Sequence, residues 1–167
     1  MTAPSPSLLP APRSALVWGS LGARVALAAV YLLAAVPKLG DPAAFAQDID
    51  NYHLLPVDWA GVAAVVLPPL ELVVAAALLL GVHARGAALV SAGMLIAFAA
   101  AMGQAIARGI DLDCGCFGSA LAMHVSGWSI LRNVVLAALS LPIVLGPDLG
   151  PEELWARIRP ARAPAAD

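Results

Sequence analysis

Four long apolar runs dominate this sequence and restrict what it can fold into. The runs cover about residues 17–36, 59–81, 87–107 and 127–145. At about 1.5 Å of rise per residue, a helix of this length spans about 30 Å, which matches the hydrocarbon core of a bilayer. Buried helices of a large soluble protein would look similar, but the remainder of the 167 residues is too short to cover four of them. We therefore predict an all-α, four-helix transmembrane bundle.

The composition supports a lipid environment. The chain is 61% hydrophobic and only 12% charged, whereas soluble domains are about 25% charged. The net charge of -2 and the lack of a basic cluster in the sequence argue against a nucleic-acid partner, because such a protein needs cations to bind phosphates. The bilayer is therefore the first partner that the sequence predicts.

The segments outside the runs are short. Residues 1–16, rich in Pro and Ser, are predicted to be a disordered tail, and residues 147–167 a polar tail. Between them, residues 17–146 form the membrane domain, with a cysteine-containing loop at 108–126. A cleaved signal peptide is the alternative reading of the first run. Arg24 fits poorly in an apolar signal core, and the run is long enough to span, so we favour a span.

The basic residues outside the runs predict the orientation. An even number of spans places both termini on the same side of the membrane. That side carries five basic residues and the other side two: Arg13, Arg85, Arg157, Arg159 and Arg162 against Lys38 and Arg108. Because cytoplasmic segments are enriched in Lys and Arg, we predict that both termini are cytoplasmic and that the cysteine loop lies outside.

The only two cysteines, Cys114 and Cys116, flank Gly115 in this loop. An oxidising compartment favours a disulfide between them. With one intervening residue the bond closes a tight ring, for which Gly115 provides the necessary backbone freedom. So small a ring adds little stability, and strained, exposed disulfides tend to be the ones that exchange. We predict that Cys114 and Cys116 are a catalytic exchanging pair.

Two other roles for the cysteines remain open. The pair could be a structural clip that orders the loop. It could also supply two metal ligands, with His124 and His53 completing the set. Zinc sites normally show two ligand pairs at wider spacing, so the sequence predicts no metal.

Three ionisable residues lie within the runs: Arg24, Glu71 and Arg132. Such residues usually face the interior of a bundle and have partners. Glu71 and Arg24 each lie 12 residues from the same end of their runs, Trp59 and Val36. Both are therefore about 18 Å below one surface, which predicts an Arg24–Glu71 pair. Arg132 would lie only about 8 Å deep, near the cysteine loop.

The role of these charges is also open. They could stabilise the bundle internally, or they could bind a quinone or relay protons. Pro68 and Pro69 interrupt the backbone hydrogen bonds just before Glu71, which either bends the helix or shapes a cavity. The sequence identifies no cofactor with certainty, and a quinone near Arg132 and this proline pair is the one candidate.

The order of these features resembles the MauE/DoxX group of four-helix membrane proteins. The Cys-Gly-Cys-Phe-Gly loop followed by an Arg-Asn pair is most similar to the MauE-like branch. The resemblance rests on Arg24, Pro37–Pro42, Phe45–Pro56, Pro69–Glu71, Asp113–Gly118 and Arg132–Asn133.

The resemblance implies a redox-associated protein of the bacterial cytoplasmic (inner) membrane. The MauE protein is linked to maturation of methylamine dehydrogenase, whose small subunit is rich in disulfides, alongside a thioredoxin-like partner. By resemblance, Cys114 and Cys116 would exchange electrons, and Arg24, Glu71 and Arg132 would occupy the polar membrane positions of the family.

We therefore expect a thiol–disulfide redox protein. Its Cys-Gly-Cys pair would exchange electrons on the outer face with a thioredoxin-fold or cysteine-rich protein and so support maturation of an exported protein. The alternative is a non-enzymatic scaffold or assembly factor with a structural Cys-Gly-Cys clip. A transporter that uses Arg24 and Glu71 is a third option, but four short spans without an inverted repeat argue against it.

Overall fold

The computed structural model describes residues 11–56, 58–110, 126–146 and 150. In this part of the chain all regular secondary structure is helical, which confirms the predicted all-α class. The helices are α1 (Ala11–Gly40), α2 (Pro42–Asn51), α3 (Trp59–Leu80), α4 (Ala84–Ala107), α5 (Gly127–Ala138) and α6 (Leu141–Leu145).

Four stretches of the described chain are long and apolar enough to cross a membrane, with mean hydropathies between 1.7 and 2.3. They are Leu16–Gly40, Trp59–Leu80, Ala84–Ala107 and Gly127–Leu145. Many large apolar side chains, such as Leu33, Val65 and Leu145, point away from the bundle, as lipid-facing residues do. The four-helix transmembrane bundle is thus confirmed.

Helix α1 packs mainly against α3, and α4 packs mainly against α5, while α6 contacts both α1 and α4. The core combines a few large side chains with many alanines. Leu27, Leu78 and Ile143 are fully buried, and Ala28, Ala75, Ala84 and Ala88 fill the contacts between helices. Small side chains let helix backbones approach closely in a membrane, which explains how so alanine-rich a sequence packs.

The connection between the first two spans is more ordered than the sequence suggested. Helix α1 begins inside the segment predicted to be a tail and continues through Pro37 to Gly40. Asp41 then caps α2, because its Oδ1 accepts a hydrogen bond from the Ala44 N–H at 2.9 Å, and Pro42 takes the first helical position. Helix α2 packs on α3. As a result, Lys38 lies in a helix rather than in a loop.

The fourth span consists of two helices. Pro142 has no N–H to donate to the carbonyl one turn earlier, and the chain makes a turn at Leu139 and Ser140 before α6. The Ser140 carbonyl accepts from the N–H groups of Ile143 and Val144 at 3.1 and 3.0 Å and so starts α6. At its other end, the carbonyl of Gly146 accepts from Arg85 Nη2 at 2.8 Å.

Two sides of the bundle can now be named. The cysteine-loop side holds the end of α2 and the end of α4, which Arg108 joins by donating to the Tyr52 and His53 carbonyls at 3.3 and 3.4 Å. The Gly146 side holds the start of α4 and the end of α6. Cys114 and Cys116, like residues 1–10 and the polar tail from 151 onward, lie outside the described residues.

Candidate functional site

A buried ion pair joins the first two spans. Lys38 Nζ donates to Glu71 Oε1 at 2.5 Å, and each side chain is only 2% exposed. Side chains of a helix lean toward its N-terminus. Because α1 and α3 cross the membrane in opposite directions, Lys38 leans inward from the cysteine-loop side and Glu71 leans back toward that side. The two side chains therefore meet although their helical positions differ in depth.

The predicted Arg24–Glu71 pair is wrong, since Glu71 pairs with Lys38. Two features explain the error. Helix α1 extends beyond Val36 to Gly40, so Arg24 lies deeper than the sequence implied. From a common depth, moreover, the side chains of Arg24 and Glu71 lean in opposite directions. Arg24 is buried, with 1% of its surface exposed, but elsewhere in the bundle.

Two aromatic rings complete the surroundings of the Lys38 ammonium. Its Nζ lies 4.8 Å from the centroid of the Phe45 ring and 5.6 Å from that of Phe98. Both distances fall within the range of cation–π attraction. Lys38 thus contacts a carboxylate from α3 and rings from α2 and α4. These contacts offset part of the cost of removing an ammonium group from water.

A cavity of about 290 Å³ adjoins the ion pair. Helices α1 to α5 and the segment after α2 all contribute to its walls. Most of the lining is apolar, including Leu67, Met94, Phe98 and Leu136. The polar lining residues are Tyr31, Lys38, Asp48, Tyr52, Glu71, Arg132 and Asn133. The site is thus an apolar chamber with a small set of polar groups, which is the usual make-up of a small-molecule site.

The buried polar atoms Glu71 Oε2 and Asn133 Nδ2, which belong to lining residues, have no hydrogen-bond partner among the described residues. Glu71 is 2% exposed and Asn133 4% exposed. A buried donor or acceptor without a partner costs free energy, so such atoms are uncommon and call for an explanation. One acceptor and one donor are therefore ready to bind a molecule in the cavity.

The sequence-predicted site residues separate into three groups. Glu71 and Arg132 line the same cavity, whereas Arg24 does not. Cys114 and Cys116 lie outside the described residues. Sequence reasoning missed Lys38, which it treated as a loop charge. The capping signal of Asp41 and Pro42 could have revealed it, because a helix that starts there leaves Lys38 in the last turn of the preceding one.

The metal alternative is not tested, because Cys114, Cys116 and His124 lie outside the described residues. Among residues 11–56, 58–110 and 126–146, no three His, Cys, Asp or Glu side chains group together as metal ligands. His53 is exposed, and its backbone carbonyl accepts from Arg108. His124 lies outside the described residues.

Most of the motif segments named above converge on this cavity. Lys38 comes from Pro37–Pro42, Tyr52 from Phe45–Pro56, Glu71 from the proline-containing part of α3, and Arg132 and Asn133 from α5. The fold and the site together define a multi-pass membrane protein with a buried Lys–Glu pair beside a mainly apolar cavity. The family model described as methylamine utilisation protein MauE matches residues 14–146, and the chain belongs to this family.

Curated relatives agree. The methylamine utilization protein MauE of Paracoccus denitrificans is 40% identical over 124 residues, which cover 74% of this chain and 67% of the relative. The protein of the same name from Paracoccus versutus is 38% identical over 116 residues, 69% of this chain and 62% of the relative. That from Methylorubrum extorquens is 36% identical over 126 residues, 72% of this chain and 68% of the relative. The match thus spans about two thirds of each relative. No solved structure gives a significant match.

Proposed function

We propose that this protein is a membrane thiol–disulfide redox protein. Its Cys114–Cys116 pair exchanges electrons on the outer face of the bacterial inner membrane with a thioredoxin-fold or cysteine-rich protein. The exchange supports maturation of an exported protein, and the names of the relatives point to methylamine utilisation as the process.

The position of the cysteines in the chain is the observation that carries this proposal. The segment that contains them leaves α4 at Ala107 and enters α5 at Gly127, the ends of two membrane-crossing helices. A connection between two such ends starts and finishes on one side of the membrane, which is the side on which the proposed exchange takes place. A turn with Gly109 at a φ of +67° redirects the chain at the end of α4.

The burial of Lys38 strengthens the charge argument for an outward cysteine loop. A lysine that is buried and paired with Glu71 adds no free positive charge to the membrane surface. Of the two basic residues counted on the cysteine-loop side, only Arg108 is then exposed. The opposite side keeps the five basic residues counted on it, so the difference in positive charge between the two sides increases.

The reaction is an exchange of two electrons between two sulfur pairs. A partner thiolate attacks one sulfur of the Cys114–Cys116 disulfide, and the S–S bond breaks as a mixed disulfide forms. The partner's second thiolate attacks that mixed disulfide and releases the second cysteine. The partner ends with a disulfide, and Cys114 and Cys116 end as two thiols. The reverse sequence oxidises this protein instead.

Single substitutions Cys114→Ser and Cys116→Ser test the proposal. We expect both to abolish maturation of the exported protein, and one of them to trap a mixed disulfide that non-reducing electrophoresis separates. The double variant is the matched control and should trap nothing. Full function in both single variants would favour the scaffold alternative, as would a midpoint potential below about -300 mV for the pair. Thiol labelling of intact cells provides an independent check, because cysteines that face the cytosol contradict the outward orientation.

A further inference from the structure

We propose that the cavity beside the Lys38–Glu71 pair binds the head group of a lipid-soluble quinone. The cavity has about 290 Å³, mainly apolar walls and a few buried polar groups. That volume is near the lower end of the range for small-molecule sites. It suits a single substituted ring and the first part of an apolar tail rather than a whole lipid.

One residue of the cavity lining is exposed on the surface of the bundle at membrane depth. Ala97 lines the cavity and is itself exposed. Ala97 lies ten residues before the end of α4 at Ala107, which is about 15 Å along the helix and therefore well inside a bilayer core. A ligand can thus enter from the lipid, and a long apolar tail can remain there while the head group occupies the cavity.

The unpartnered polar atoms match both redox states of a quinone. A quinone carries two carbonyl acceptors, and Asn133 Nδ2 is a buried donor without a partner among the described residues. The Lys38 ammonium has three hydrogens and donates to Glu71 Oε1. A quinol carries two hydroxyl donors, and Glu71 Oε2 is a buried acceptor without a partner among the described residues.

The charge balance selects a neutral head group. Lys38 is compensated by Glu71 at 2.5 Å. The two remaining charged side chains of the lining, Arg132 and Asp48, are of opposite sign. A fatty-acid carboxylate or a lipid phosphate would have to lose its hydration without a net positive charge to replace it, which is costly. A quinone carries no charge and avoids that cost.

Such a site would supply the second electron carrier that the proposed function requires, and this part of the inference rests on that function. The thiols of Cys114 and Cys116 would lose two electrons and two protons as their S–S bond forms. The quinone would take up both electrons and both protons and leave as quinol. Arg132 lies six residues from Ser126, where the cysteine segment joins α5, or about 9 Å along the helix.

Equilibrium binding to the full-length protein in nanodiscs tests the site. The probe is a benzoquinone with a short isoprenoid tail, titrated against the wild type and two matched variants on α4. Ala101→Leu adds a larger side chain to a cavity-lining residue, whereas Ala100→Leu makes the same change at an exposed neighbour that does not line the cavity. We expect Ala101→Leu to weaken binding at least about tenfold and Ala100→Leu to change it less than about twofold.

A second variant removes a polar group of the lining instead of filling the cavity. Asn133→Ala removes the buried donor, and we expect about five- to tenfold weaker binding with unchanged folding, because Nδ2 has no partner to lose among the described residues. Equal affinities in Ala101→Leu and Ala100→Leu would overturn the proposal. Oleate is the competing ligand. If oleate binds more tightly than the quinone, and if only Ala101→Leu abolishes its binding, the cavity belongs to an anionic lipid and the quinone proposal is overturned.

The double variant Cys114→Ser/Cys116→Ser separates this proposal from the proposed function. It should bind the quinone as tightly as the wild type does. Quinone binding without any thiol-dependent quinone reduction would sustain the site and contradict the redox role. Thiol exchange with a partner protein in the absence of quinone binding would sustain the redox role and contradict the quinone site.

Discussion

The cysteine-loop side and the Gly146 side of the bundle both bury polar side chains, but they organise them differently. On the cysteine-loop side, Lys38, Glu71 and Asn133 line a cavity of about 290 Å³. On the Gly146 side, Ser20 and Arg24 are at most 1% exposed and do not line that cavity. Buried polarity alone therefore does not identify a binding site. The candidate site lies where buried polar atoms adjoin the cavity.

The chain connections cause this difference. On the cysteine-loop side, the short helix α2 follows α1 and packs on α3. Its Ile49 and the Tyr52 beyond it form part of the cavity wall. On the Gly146 side, α6 packs directly against α1 and α4. Ser20 Cβ would lie only 3.5 Å from a Cβ at Gly146, so the backbones there are already in close contact.

The largest expected effect comes from removing one charge on the cysteine-loop side. Lys38→Met would leave Glu71 buried without its cation, and breaking a buried ion pair in this way costs about 3–5 kcal/mol. We therefore expect a loss of that size in the free energy of unfolding. SDS titration in mixed micelles, followed by tryptophan fluorescence, measures it, since the chain contains four tryptophans.

Two control variants make this first result interpretable. The double variant Lys38→Met/Glu71→Leu removes both charges, and we expect most of the stability to return. Arg108→Met removes an exposed cation whose hydrogen bonds within the described part of the chain go to two backbone carbonyls, and should cost less than about 1 kcal/mol. A single variant as stable as the double variant would mean that the pair is not the central contact of this side.

Much of the fold could be predicted from sequence because lipid sets the length of a span. Four runs of sufficient hydropathy gave four spans, and the boundaries at Trp59 and Ala107 agree with the helices. The break in the fourth span before Pro142 was not predicted, nor was α2. Both depend on local hydrogen bonds, made by Ser140 and Asp41, that a hydropathy pattern does not contain.

The candidate site was predictable only in part. Glu71 and Arg132 were found because an ionisable residue within an apolar run is conspicuous. The partner of Glu71 was not found, because it depends on where α1 ends and on the direction in which helical side chains lean. The volume beside them depends on how five helices pack, which one sequence does not reveal.

A glycine-to-alanine change tests the close packing of the Gly146 side. A Cβ at Gly146 would overlap the Pro142 carbonyl oxygen, a backbone atom that cannot turn aside. We expect Gly146→Ala to lower the free energy of unfolding by about 1–3 kcal/mol in the same SDS titration. Gly22→Ala on α1 is the control, since nothing lies within 4 Å of its Cβ position, and it should be neutral or stabilising by up to about 1 kcal/mol. Equal effects of the two would contradict the close packing around Gly146.

The smallest expected effect concerns Tyr31, which belongs both to the packed core and to the cavity wall. Its hydroxyl donates to the Ser91 carbonyl at 3.0 Å and so ties α1 to α4. Tyr31→Phe removes only this bond and should cost about 0.5–1.5 kcal/mol of unfolding free energy.

Ser91→Ala is the matched control. It keeps the backbone acceptor and removes an Oγ that has no hydrogen-bond partner among the described residues, so it should be neutral. A larger loss in Ser91→Ala than in Tyr31→Phe would show that the serine hydroxyl, rather than the tyrosine hydroxyl, joins α1 to α4.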